Sequence, residues 1–107
     1  MKLILRKKKI AMSGEQILRR AGYGFIRDYR TGHESYVRRL GSGHYPRLHM
    51  YVEDMDEFIV LNLHLDQKQT SYAGQHMHNA EYDGEVVEGE IGRLKKVIMG
   101  LAREEKN

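Results

Sequence analysis

A chain of 107 residues, 40% hydrophobic and 31% charged, is sized and balanced for one globular domain with its own core, which excludes a disordered polymer. The absence of cysteine excludes disulfides and thiolate metal sites, and a reducing cytoplasm is the expected setting. The net charge of +3 conceals a division: residues 1–49 hold twelve Lys and Arg against three Asp and Glu (+9), and residues 50–107 hold six against twelve (−6). The first half is therefore the one expected to meet an anionic partner, nucleic acid being the commonest.

In chain order, Leu3-Ile4-Leu5 is followed by Arg6-Lys7-Lys8-Lys9. Residues 1–12 have two readings: an edge strand guarded by charge, or a basic arm on phosphates. The apolar patch is too short for a secretory signal. No run approaches the roughly 20 apolar residues that cross a bilayer, so no membrane role is expected. Ser13 and Gln16 have the spacing of a capping box, with Met12 placed to staple onto Ile17. They predict a short helix over residues 14–21, buried through Ile17, Leu18 and Ala21 and ended by Gly22 in a left-handed conformation. Residues 24–30 and 35–40 read as a hairpin around Thr31-Gly32-His33-Glu34, and Gly41-Ser42-Gly43 as a link.

Residues 45–66 alternate in a way that predicts two long antiparallel strands joined at Asp54-Met55-Asp56-Glu57. Leu48, Met50 and Val52 share one face with Ile59, Leu61, Leu63 and Leu65. A one-residue slip would turn one set to water. The matching register sets Leu48 opposite Leu63 and Val52 opposite Ile59, so that His49 faces Asn62 and Tyr51 faces Val60. The other face then carries Arg47, His49, Tyr51, Asn62, His64 and Asp66. Residues 67–82 are polar and read as a functional loop. From there Val87, Ile91, Leu94, Ile98 and Leu101 form one helical stripe, capped by Asp83. Its glycines at 84, 89, 92 and 100 suggest a helix laid closely on the sheet. The stripe serves core packing, or alternatively a homodimer. The expected architecture is α+β, in the order α-β-β-β-β-α: a four-stranded antiparallel sheet with both helices on one face.

Three chemistries fit these residues. His49 and His64, as diagonal neighbours, could join His76, His78 and Asp66 around zinc or nickel. The same imidazoles could act as acid and base on a phosphodiester, with Arg47 or Lys68 holding phosphate and the ribose 2′-hydroxyl as nucleophile. No serine stands in a nucleophile motif, so acyl chemistry is not expected. Thirdly, Arg19, Arg20, Arg27, Arg30, Arg38 and Arg39 are interleaved with Tyr23, Phe25, Tyr29 and Tyr36, a pattern that suits phosphate contact and base stacking. Phe25 is the aromatic of that set expected in the core. A small protein-interaction domain using the open sheet face is the remaining alternative.

The run Ser13-Gly14-Glu15-Gln16-Ile17-Leu18-Arg19-Arg20-Ala21-Gly22-Tyr23-Gly24-Phe25 resembles the opening of the HicA-type messenger-RNA interferase toxins. That resemblance spans about residues 13–39. It implies a fold related to double-stranded-RNA-binding domains and a catalytic histidine after a glycine on the second strand. Gly32-His33 is the matching position here, although the family's Gly-Ser-His order is absent. YPRLHMY, NLHLDQK and HNAEYDG are similar to segments of small bacterial proteins of no assigned role, which implies a cytoplasmic location. The sequence thus supports an RNA-binding protein with a histidine-based, metal-independent ribonuclease centre at His49, His64 or His33.

Overall fold

A computed structural model describes residues 1–67 and 76–106, with side chains over 1–67 and 84–101. The elements run β1 (Lys2–Arg6), a 3₁₀ turn (Lys7–Lys9), α1 (Gly14–Arg20), β2 (Gly24–Arg27), β3 (Glu34–Arg39), β4 (Arg47–Asp54), β5 (Phe58–Asp66) and α2 (His76–Lys106). The five strands form one antiparallel sheet in the order β1-β5-β4-β3-β2. The fold is α+β, but the sheet has five strands rather than four. The extra one is β1, so of the two readings of residues 1–12 the edge strand holds for residues 2–6. Its alternation decides this: Leu3 and Leu5 are buried while Lys2, Ile4 and Arg6 are exposed. The amino terminus prolongs the ladder, its ammonium donating to the Leu63 carbonyl at 3.0 Å.

One face of the sheet holds the core. Leu3, Leu5, Leu48, Met50, Ile59, Leu61 and Leu63 meet Ile17 and Leu18 of α1 and Val87, Ile91 and Leu94 of α2 in one cluster. Both helices therefore cover the same face. α1 starts as its sequence dictates: Ser13 Oγ accepts from the Gln16 amide at 3.1 Å and Gln16 Oε1 accepts from the Ser13 amide at 3.0 Å. Gly22 ends the turn at φ +94°. At Gly14 the helix approaches the sheet so closely that a Cβ would stand 2.9 Å from Val52 Cγ1.

Four expectations are corrected. The central hairpin is shifted by two residues: Leu48 pairs with Leu65, His49 with His64, Tyr51 with Asn62 and Val52 with Leu61. The tight turn is Asp56-Glu57, because Met55 and Phe58 still join the ladder through a 2.8 Å bond from the Met55 amide to the Phe58 carbonyl. A shift of two preserves which side chains face inward, so the core is unchanged while every cross-strand neighbour is new. α2 starts at His76, so Asp83 lies inside the helix and residues 76–82 are helical rather than loop. Residues 68–75 of the expected loop lie outside the described residues. Among the described residues, no other element comes within 4 Å of where a Cβ would stand at Gly84, Gly89, Gly92 or Gly100, so they do not serve a close approach to the sheet. Phe25 is 46% exposed rather than core, with its ring edge-on to Tyr36 at 5.6 Å on edge strand β2.

Candidate functional site

Because both helices cover one face, the other face of the sheet stays open among the described residues, and the pairing draws its map. Arg39, Arg47 and Asp66 form one row across β3, β4 and β5, and Val37, His49 and His64 form the next. Tyr51, Asn62 and Lys2 form a third row across β4, β5 and β1. His49 and His64 are thus directly opposite rather than diagonal. The three rings at the centre touch: His49 and Tyr51 stack with centroids 4.7 Å apart and planes at 30°, and His64 meets Tyr51 edge-on at 5.9 Å.

His49 is the most constrained of these groups. Its Nε2 lies 2.7 Å from Ser35 Oγ, and its Nδ1 lies 3.9 Å from Asp66 Oδ2. Asp66 also accepts from Arg47 Nε at 3.2 Å. Burial holds the His49 imidazole below its ordinary pKa, aided by the charges of Arg47 and His64, while Asp66 pulls the other way. The imidazole is consequently neutral at pH 7, fit to accept a proton. Ser35, His49 and Asp66 stand in the order nucleophile, base and orienter, a juxtaposition invisible in the sequence. Two facts argue against Ser35 as a nucleophile: it is only 5% exposed, and Asp66 is beyond hydrogen-bond reach of Nδ1 and engaged by Arg47.

Beside His49 opens a cleft of about 430 Å³ whose wall includes Arg27, His33, Ser35, Arg47, His49 and Tyr51. His33 reaches it from the loop between β2 and β3. That loop closes by bonds from the Asp28 amide to the His33 carbonyl (2.9 Å) and from the Gly32 amide to the Asp28 carbonyl (2.7 Å), with Gly32 at φ +74°. The Asp28 carboxylate accepts from the Arg30 amide at 2.8 Å, an Asx turn that ends β2 at Arg27, before the predicted end at Arg30.

The predicted residues divide as follows. His33, His49, Arg27 and Arg47 line the one cleft, and His64 and Asp66 flank it on the same sheet face. Arg27 is paired with Glu34 at 2.6 Å, and Arg30 is exposed on the loop. Arg39 is exposed beside Arg47. Arg38 is on the opposite, helix-covered face, 3.6 Å from Glu90 of α2. Lys68 and the side chains of His76 and His78 lie outside the described residues. Among the described residues, no group of three or more His, Cys, Asp or Glu side chains is arranged to hold a metal ion.

A second polar cluster is invisible in the sequence. Glu90 of α2 is 6% exposed. It accepts from the Tyr23 hydroxyl at 2.5 Å and from Arg93 at 2.7 and 2.9 Å, while Arg93 also donates to the Ala21 carbonyl at 2.6 Å. Burial alone would raise the Glu90 pKa, but the bonds from Arg93 and Tyr23 and the charges of Arg93 and Arg38 overcome it and hold the carboxyl below its usual range. Burial and the Glu90 carboxylate push the Tyr23 phenol far up, keeping it a donor.

Comparison with protein-family models, with curated proteins and with solved structures gives no match to this chain. Among the described residues, no helix is long and apolar enough to cross a membrane.

Proposed function

We propose that the protein binds RNA on the open face of its sheet and cleaves it in the His33–His49 cleft by general acid–base catalysis. The observation that carries this reading is the meeting of His33, His49 and Arg47 in one cleft. The basic first half of the chain and the resemblance of residues 13–39 to HicA-type interferases, which singles out His33, point the same way. A plan related to HicA or double-stranded-RNA-binding domains belongs to this proposal.

In the proposed step His49 takes the proton of a ribose 2′-hydroxyl. With Nε2 engaged by Ser35, the proton reaches the ring through that hydroxyl, which both donates and accepts. The 2′-oxygen attacks phosphorus and the bond to the 5′-oxygen breaks, leaving a 2′,3′-cyclic phosphate. His33, as the general acid, gives a proton to the departing 5′-oxygen. Arg47 offsets charge growing on the phosphate. Each of the two proton-transfer groups is expected to contribute about 10²–10⁴-fold in rate.

The test is cleavage of an end-labelled RNA in EDTA, beside the same strand carrying 2′-deoxy sugars. Cyclic-phosphate products from the ribose strand alone, lost with His49→Ala and with His33→Ala, are expected. Undiminished cleavage by both variants, or no cleavage by the wild type, overturns the catalytic assignment. Activity that EDTA removes and zinc or nickel restores would instead move the reading to a metal site around His49, His64 and Asp66.

A further inference from the structure

Resting on the RNA reading above, we infer that the RNA is taken as a single strand, with a base laid on the ring of Tyr51, which positions the chain for the cleft. Tyr51 is 37% exposed at the centre of the sheet face opposite α1 and α2. Its ring is braced on two sides, by the His49 ring at 4.7 Å and the His64 ring at 5.9 Å. An aromatic already held by its neighbours loses little freedom when a ligand arrives, and a nucleobase extends the stack as its next layer.

The charge lies at the matching place. Arg47 shares strand β4 with Tyr51, four residues or about 13 Å away. Arg39 stands directly opposite it on β3. Arg47 is compensated by Asp66, whereas the exposed Arg39 guanidinium has no acidic partner among the described residues. A phosphate beside Arg39 and Arg47 with a base on Tyr51 runs an extended strand along β4. That path lies on the cleft wall, because Arg47, His49 and Tyr51 all line it. A duplex fits poorly here: its bases are stacked on one another and paired, and a ring lying on a sheet cannot enter between them.

Binding can be measured apart from cleavage with a fluorescein-labelled ten-nucleotide strand bearing 2′-O-methyl at every sugar, free or annealed to its complement. The full-length protein is expected to prefer the free strand at least tenfold. Tyr51→Ala should weaken that binding about tenfold, in line with roughly 1–3 kcal/mol per stacked base. Tyr51→Phe, which keeps the ring, should bind like the wild type, and Arg39→Ala should lessen the dependence on salt. Equal or tighter binding of the duplex overturns the inference, as does Tyr51→Ala binding unchanged. Tyr51-dependent binding without cleavage of unmodified RNA would remove the catalytic assignment alone, and binding of neither strand would remove both.

Discussion

Glu90 and His49 are the centres of two polar clusters on opposite faces of one sheet, and they are built to opposite ends. The Glu90 cluster is closed. Its carboxylate meets Tyr23, Arg93 and Arg38, joining the turn after α1, strand β3 and helix α2. The His49 cluster is open. Its imidazole has one short bond, to Ser35, an acid too distant to lock it, and a cleft in front. Burial lowers the pKa of His49, whereas at Glu90 it acts to raise it and is overruled by the partners. The difference teaches that a buried charge supplied with every partner serves cohesion, while a half-buried base left short of partners stays available for chemistry.

Breaking the closed cluster should cost most. Glu90→Ala strands Arg93 and Arg38 at the helix–sheet junction, and a loss of about 3–5 kcal/mol in urea unfolding is expected. Tyr23→Phe removes one bond to a charged acceptor and leaves the rest, so about 1.5–3 kcal/mol is expected by the same measurement. In the open cluster Ser35→Ala removes one neutral bond and should cost about 1 kcal/mol. His49→Gln should cost no more than that, yet it should abolish the proposed cleavage. If His49→Gln proved as destabilising as Glu90→Ala, the contrast between the clusters would fail.

Acidification sharpens the comparison, because both groups have depressed pKa values but different starting points. For His49 the folded state disfavours the cation. Its contribution is fully present above the ordinary value of 6.5 and is lost as pH falls through the lower folded value. For Glu90 the folded state favours the anion. Its contribution is present above 4.5 and is lost only as pH falls through a value below that. Wild-type stability should therefore decline in two steps. His49→Gln should flatten the upper step and Glu90→Gln the lower, as read from unfolding curves across pH. NMR titration should place the His49 imidazole below a model histidine.

How much was legible in the residues follows from the range of the interactions involved. Alternation in residues 45–66 announced the inward leucines and the outward imidazoles, because strand parity is a local property. The register is not legible there, since a two-residue shift leaves parity intact and only the turn distinguishes the alternatives. The strand Lys2–Arg6 was ambiguous because five residues take their conformation from the partner they find. The start of α2 is hidden because Asp83 has the chemistry of a cap without being at a terminus. Ser35 beside His49 and Tyr23 beside Glu90 were out of reach, being 14 and 67 residues apart in sequence.

By itself the sequence determined the capping of α1, the pleat of the central hairpin, the helical stripe of α2 and the basic character of residues 1–49. Each depends on neighbours within a few positions along the chain. Only the tertiary structure decided that His33 and His49 share a cleft, that Arg38 turns inward while Arg39 stays exposed, and that Glu90 is sealed by residues from the turn after α1, from β3 and from α2. These are contacts between segments brought together by burial of a common core, and burial specifies which faces meet without announcing which polar side chains will find one another.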